Sequence, residues 1–469
     1  MRNETPLPAA SPGASDRGTP SGVHGRKPRV RIVRAELVFA EDRWRRRHAF
    51  AMEGGAILAT GAPEELARRF PDHPLEDWGD VAVLPGCVNA HDHSFQVLLR
   101  GLGDDLAFHR WRDRVLYPFS ERLDRDGIRA GALLDLAELA RAGVTAVVDF
   151  FYLHDRGNRN DLAVVEAARE IGIRLVLARS MYDWAGAPAR YRETPEEAVR
   201  NFRLLHEELR GDPLATCQPA PHSIHGASPG MIRAGADLAA ELGLPFHIHV
   251  AEGRYEREMA LERYGRSPVG FLDSLGVLSD RTVAVHCVWV DEEDLAILAE
   301  RGVRVVHNPS ANAFLGDGVA PLRGMLARGI PVCLGTDGGC TNSRRSVFEE
   351  MRMAALLAKA RDADAEAVTA EQVLLAGTAR GGEVLGLPLG RIAEGYLADL
   401  VVLDLDALSL QPPGTAEKQV VYAMQPEAVR RVLVGGEPIV EDGRLVRVDD
   451  ARIRAEVARV TAGWLPPPR

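Results

Sequence analysis

No run of eighteen apolar residues occurs anywhere in this 469-residue chain, so nothing in it reads as a membrane-spanning helix. Basic residues are in the minority. The 57 Lys and Arg against 67 Asp and Glu leave a net charge of −10, the wrong sign for a nucleic-acid footprint. Cysteine is scarce and unpatterned: Cys87, Cys217, Cys287, Cys333 and Cys340 are odd in number, scattered and free of any CxxC spacing. That argues against a disulfide framework or a cysteine-ligated zinc site and fits a reducing cytosol. The first residues also lack the apolar core of a secretory signal, so the expectation is a cytoplasmic protein. Large apolar residues are almost missing from residues 1–28, whose Pro, Gly, Ser and Ala cannot bury enough surface to offset ordering entropy; this segment reads as a disordered tail.

The chain is too long for one small core and suits one large barrel with a smaller piece, or two to four domain-sized units. After the tail, "RVRIVRAELVFA" and "AFAMEGGAILATG" read as short strands joined by a Gly-Gly turn. From residue 84 the texture changes to eight apolar runs: "VLPGCVNAH", "VTAVVDFFY", "IRLVLARSM", "LATCQPAPH", "LPFHIHVAE", "RTVAVHCVW", "VRVVHNPS" and "IPVCLGTDG". Amphipathic segments such as "DGIRAGALLDLAELARAG", "PEEAVRNFRLLHEELRG" and "DEEDLAILAERG" separate them. Near-continuous strands alternating with helices imply a parallel sheet covered on both faces. Eight is the number that closes a (β/α)8 TIM barrel, with a doubly wound open sheet as the alternative. Towards the end, "GRIAEGYLADLVVLDLD" and "VRRVLVGGEPIVEDGRLV" return to strands with Gly-Gly and Asp-Gly turns. The expected organisation is therefore an α/β chain. A composite β-sandwich is built from 29–83 and 390–448, the barrel spans 84–389, and a helix or tail occupies 449–469.

The pair His91 and His93 in "LPGCVNAHDHSFQ" would, on spacing alone, read as two loop histidines. The other strand ends change that reading. Strand four ends at His222, and strand five carries His247 and His249 followed by Glu252. Strand six ends at His286, strand seven at His307 and Asn308, and strand eight at Asp337. In a closed parallel barrel these ends converge on the one face where such barrels build active sites. Residues two apart on a strand share a face, so His91 with His93, and His247 with His249, can point into one interior. Imidazoles and a carboxylate together suit zinc or iron(II).

Taken together, "LPGCVNAHDHSFQ", "HIHVAE", "AVHCVWVDEEDLAIL", "HNPSANAFLGDGVAP" and "LGTDGGCTNSRRSVFEEMRMA" resemble the amidohydrolase superfamily, in its mononuclear-metal deaminase and chlorohydrolase branch. The resemblance spans nearly all of residues 30–446. It implies one divalent metal, zinc or iron(II), held by His91, His93, His249 and Asp337, with Glu252, His286 and Asp337 as catalytic residues. Two-metal barrels of this kind bridge their ions with a strand-four lysine. The only lysines here are Lys27, Lys359 and Lys418, none on a barrel strand, hence a single metal. In the chemistry implied, a metal-activated water attacks an sp² carbon bearing nitrogen, Asp337 takes its proton, Glu252 protonates the substrate nitrogen and His286 stabilises the attacking oxygen. A non-catalytic barrel scaffold, the reading from another class, would be expected to have lost ligands.

Three substrate groups are similar. The deaminases of S-adenosylhomocysteine and methylthioadenosine share the "HNPSAN" and "LGTDGG" segments, but where they carry a ribose-binding glutamate this chain has Ser120 in "WRDRVLYPFSERL". N-formimino-L-glutamate deiminases share Gln96, Tyr152 and His222, but this chain has His225 in place of their carboxylate-binding arginine. The s-triazine hydrolases share fold and metal set. The expectation is hydrolysis of a non-peptide C–N bond in an aminated heterocycle or amidine-like small molecule, with formiminoglutamate as the alternative. Gln96, Trp111, Arg112, Tyr152 and His222 are the expected substrate contacts, with Trp111 and Arg112 covering the pocket mouth. Asn308 and Asn312 are expected to tie down loop backbone, and "SRRSVFEEMRMA" to pack, at a subunit contact if the chain is a homo-oligomer. His225, His247 and His307 have no assigned role.

Overall fold

The computed structural model describes residues 30–464; the expected N-terminal tail, residues 1–28, lies outside them. The eight apolar runs all form strands: Cys87–Asp92, Val144–Phe151, Arg174–Met181, Ala215–Pro221, Phe246–Val250, Thr282–His286, Arg304–His307 and Val332–Leu334. They pair in parallel as two four-stranded arcs, the first four and the last four in sequence order. Backbone bonds close the arcs into a barrel. The His249 N–H donates to the His222 carbonyl at 3.0 Å, and the Asp337 N–H donates to the His91 carbonyl at 3.0 Å.

The helices begin where side chains satisfy their free N–H groups. Asp124 accepts from the Gly127 N–H to start Arg125–Arg141, and reciprocal capping pairs, Thr194 with Glu197 and Asp291 with Asp294, start Pro195–Glu208 and Glu292–Glu300. Each buries one apolar stripe on the barrel, as for Leu133, Leu136 and Ala140 on the first of them. No helix among the described residues is long and apolar enough to cross a membrane.

The N- and C-terminal β segments form one nine-stranded sheet. Its seam is Val81–Pro85 paired antiparallel with Leu400–Asp404, with Val83 opposite Val402. Period-two alternation divides these strands between two cores. Val81, Val83, Leu400 and Val402 face the interior of the small domain, while Ala82, Leu84, Val401 and Leu403 join the barrel core. Both faces are apolar, which is why the strands read as unbroken hydrophobic runs. The chain passes from sheet to barrel at Gly86, where a Cβ would fall 2.1 Å from Thr145 Oγ1. Arg174, at the start of the third barrel strand, donates to both oxygens of buried Asp399 at 2.6 and 3.0 Å and ties the two parts together.

Candidate active site

His91 and His93 project from the end of the first barrel strand into the same interior, as their two-residue spacing dictates. His249 Nε2 lies 3.3 Å from His91 Nε2, and Asp337 Oδ1 is 3.6 Å from both His91 Nε2 and His93 Nε2. What lies behind these rings fixes their tautomers. His93 Nδ1 donates to the Phe150 carbonyl at 2.6 Å and His249 Nδ1 to the His222 carbonyl at 2.7 Å. A proton on each Nδ1 leaves both Nε2 lone pairs free, that of His93 towards Asp337 and that of His249 towards His91. Burial, with neighbouring imidazoles, pushes the His93 ring down to about 3 and His249 well below its ordinary value, so both are neutral ligand forms. Burial alone would push the Asp337 carboxyl up, but the His91, His286 and His93 rings outweigh it and hold it below the usual carboxylate range. Electron-pair donors packed this closely repel one another unless a cation lies between them. Two overlapping sets, His91 with His93 and His249, and His91 with His286 and Asp337, each bring donor atoms close enough to share one divalent metal, and Asp337 Oδ1 also lies 3.6 Å from His93 Nε2.

Glu252 and His286 stand beside this cluster, with Glu252 Oε1 3.7 Å from His286 Nε2. Burial first, then Asp317, Asp337 and Glu256, pushes the Glu252 carboxyl well up, so it holds a proton to higher pH than an ordinary glutamate. The His286 ring is neutral, its pKa lowered to about 3 by burial. Its tautomer is set by the amide nitrogens of Asn312 and Asn308, 3.0 and 3.2 Å from Nδ1, and not by Asp337. With both amides donating to Nδ1, the proton sits on Nε2, the nitrogen facing Glu252. The two asparagines thus act on a candidate catalytic ring instead of on loop backbone. Asn312→Ala should lower kcat roughly tenfold with metal content and KM little changed, measured by steady-state kinetics beside elemental analysis.

Two of these residues sit in strained backbone. His286 has φ 79° and Asp337 φ 59°, a region that non-glycine residues rarely occupy. Around Asp337 the chain is held from several sides. Gly338 and Gly339 follow it because a Cβ would fall 1.9 Å from Gln96 Oε1 at the first and 2.6 Å from Val97 Cα at the second. Beneath lies a cluster built around Arg345. Its Nε donates to Asp135 Oδ1 at 2.6 Å, its Nη1 to the Asp337 carbonyl at 2.5 Å, and its Nη2 pairs with Asp92. Asn89 completes the tie between the first and last strands, donating to Asp92 at 2.9 Å and Thr336 Oγ1 at 2.7 Å.

Every expected substrate contact lines one cavity, which opens beside the cluster and encloses about 590 Å³ including its mouth. Gln96 donates to the Tyr152 hydroxyl at 2.6 Å, and the His222 ring packs 4.4 Å from that of Tyr182. Trp111 is buried in the wall, while Arg112 lies further out over the rings of Tyr117 and Trp184. Sequence reasoning missed Phe108, Tyr117, Tyr182, Tyr191 and Thr341, which also line the cavity, and left His225, another lining residue, without a role. His247 faces the barrel interior but bonds Gln218 Oε1 at 2.7 Å and takes no part in the ligand cluster; His307 is buried elsewhere. Ser120 points away from the cavity and bonds the Tyr191 hydroxyl at 2.6 Å.

The amidohydrolase family profile matches residues 82–439. A 5-methylthioadenosine/S-adenosylhomocysteine deaminase of Syntrophobacter fumaroxidans is 38% identical over 403 residues, 86% of this chain and 90% of that protein. A zinc-bound adenosine deaminase from Xanthomonas campestris superposes with a TM-score of 0.85 at 30% identity, covering 92% of this chain and 97% of that one. The atrazine chlorohydrolase of Arthrobacter aurescens, complexed with zinc, also reaches 0.85, at 26% identity over 92% and 99% of the two chains. A barrel whose strand ends gather three imidazoles, a carboxylate and an adjoining Glu–His pair, matched along most of its length, belongs to the amidohydrolase family and is a hydrolase of carbon–nitrogen bonds other than peptide bonds.

Proposed function

We propose that this enzyme deaminates a planar aminated nitrogen heterocycle, with zinc held by His91, His93, His249 and Asp337. Zinc is favoured because the adenosine deaminase and the atrazine chlorohydrolase similar to this chain are both zinc-bound. A divalent cation in such a ligand set supplies Lewis-acid activation of water near neutral pH. The rest falls to side chains. Asp337 accepts a proton from the attacking water, and the His286 Nε2–H donates to the oxygen as charge builds on it. Glu252, its pKa raised by burial, delivers its proton to the ring nitrogen, takes up the remaining proton of the new C–OH group and passes it to the departing amine, and the proton held by Asp337 then restores it. The carbon gains oxygen, the C–N bond breaks, and ammonia leaves.

The observation that carries the substrate reading is the cavity wall. Tyr152, Tyr182, Tyr191, Phe108 and Trp111 suit a flat ring, and Glu252 and Asp337, both assigned to the reaction, are the only carboxylates lining it among the described residues. No carboxylate stands where the nucleoside deaminases carry their ribose-binding glutamate, and the Ser120 hydroxyl found there bonds Tyr191. A base without ribose is therefore the first reading. An adenine-type nucleoside is the second, favoured by the relative from Syntrophobacter fumaroxidans. Formiminoglutamate carries two carboxylates, and among the described residues Arg112 is the one arginine or lysine in the lining. Ammonia release from adenine, cytosine, aminotriazines, adenosine, 5-methylthioadenosine and formiminoglutamate separates the three. Turnover of bases at least tenfold faster in kcat/KM than of nucleosides is expected. The reverse order selects the nucleoside reading, and ammonia from formiminoglutamate alone refutes both.

A further inference from the structure

The mechanism uses one end of the cavity and leaves Arg112 unexplained. Its guanidinium lines the cavity and is largely buried, with only 16% of its side chain exposed. Among the described residues its one hydrogen bond runs from Nε to Asp113 Oδ1 at 2.8 Å, which leaves the paired Nη nitrogens without an acceptor. Aromatic rings fix its plane: Cζ is 5.5 Å from the centroid of Tyr117 and 5.3 Å from that of Trp184. His225 lines the same cavity, and its buried Nδ1 also lacks a partner.

A ladder of contacts measures how far Arg112 stands from the reaction. Its guanidinium lies over Tyr117, whose hydroxyl is 3.4 Å from that of Tyr182. The Tyr182 ring is 4.4 Å from His222, and the His222 ring 4.8 Å from His249. Three aromatic side chains thus separate the cation from the candidate metal ligands, which puts it at the other end of the same cavity. A partly desolvated guanidinium with a free fork pairs best with two coplanar oxygens.

We propose that Arg112 is a specificity-determining residue that binds a carboxylate or other anionic oxygen pair carried by the substrate on the side of the heterocycle remote from the reacting carbon, with His225 as its hydrogen-bonding neighbour. The inference rests on the deaminase reading above. Two matched pairs of probes test it on the metal-loaded enzyme: 9-ethyladenine against adenine-9-acetate, and 1-ethylcytosine against cytosine-1-acetate. Each is followed by ammonia release and, independently of turnover, by calorimetric binding. At least one acetate should bind roughly 10- to 100-fold more tightly than its ethyl partner, the ratio expected of a charge-assisted hydrogen bond. Arg112→Met should weaken binding of the acetate at least tenfold more than binding of its ethyl partner, so that the preference is lost, and Arg112→Lys should keep part of it. Equal binding of both members of each pair, or a preference that survives Arg112→Met, overturns the proposal. Absence of ammonia from every heterocycle, with the binding preference intact, would instead count against the deaminase reading alone.

Discussion

Replacing Glu252 by glutamine should slow ammonia release by roughly 10²- to 10⁴-fold, the range for loss of a general acid–base group, while leaving bound metal unchanged. The residue is three positions beyond His249 and faces His286 Nε2 at 3.7 Å without belonging to the cluster of candidate ligands. The amide keeps shape and hydrogen bonding but cannot give up a proton. Burial raises the carboxyl pKa, so an uncharged amide of the same shape suits this buried position better than a charged replacement would. The loss should therefore appear in kcat more than in KM. Elemental analysis and steady-state kinetics on the same preparation check it: a variant with full metal and a near-normal rate removes Glu252 from the mechanism.

Arg345→Met should destabilise the fold by about 3–5 kcal/mol, because it strands Asp92 and Asp135 without their counter-charge in a dry interior. Both carboxylates and the guanidinium are buried, and burial already pushes the Asp135 carboxyl well up despite Arg345. The sign of the pH effect follows. Once the arginine is gone, the orphaned carboxylates cost most where they are ionised, so the deficit should be larger at pH 8 than at pH 5.5, where protons neutralise them. Arg345→Met with Asp135→Asn should recover part of the loss. Because Arg345 also donates to the Asp337 carbonyl at 2.5 Å, metal affinity should fall along with stability. Denaturant unfolding at the two pH values, with chelator competition, measures both; a single variant as stable as the parent at pH 8 refutes the account.

The two predictions differ in how far the sequence foreshadows them. Glu252 is legible because barrel strands announce themselves as apolar runs and their ends must share a face; one-dimensional order is then enough to gather His91, His93, His249, His286 and Asp337. Arg345 is not. It lies in "TNSRRSVFEEMRMA", where an arginine before a helix reads as solvated, and its partner Asp135 belongs to a helix more than two hundred residues earlier in the chain. The available signal was Asp135 itself, an acid set in the apolar stripe of "GALLDLAELA". The asparagines are a similar case. Asn308 and Asn312 are four apart on one helical turn, but only tertiary packing brings both amides to His286 Nδ1. The wall of the cavity was half visible, since Tyr182 and Tyr191 come from a loop whose course no periodicity records.

The closure of the barrel through Asp337 sets an order of events during synthesis. His91 and His93 leave the ribosome early, but the chain that holds them in register, from Asp337 and the two glycines to Arg345, is made much later. Until it arrives, Asp92 and Asp135 lack their cation and the left-handed turn at Asp337 does not exist. A nascent chain therefore offers a passing metal two histidines on a solvent-wetted strand, a weak and unselective trap. The cluster of candidate ligands is complete only when the last strand docks, so a chain truncated before residue 345 should fail to retain metal even though three of the four candidate ligand positions, or all four, have been translated.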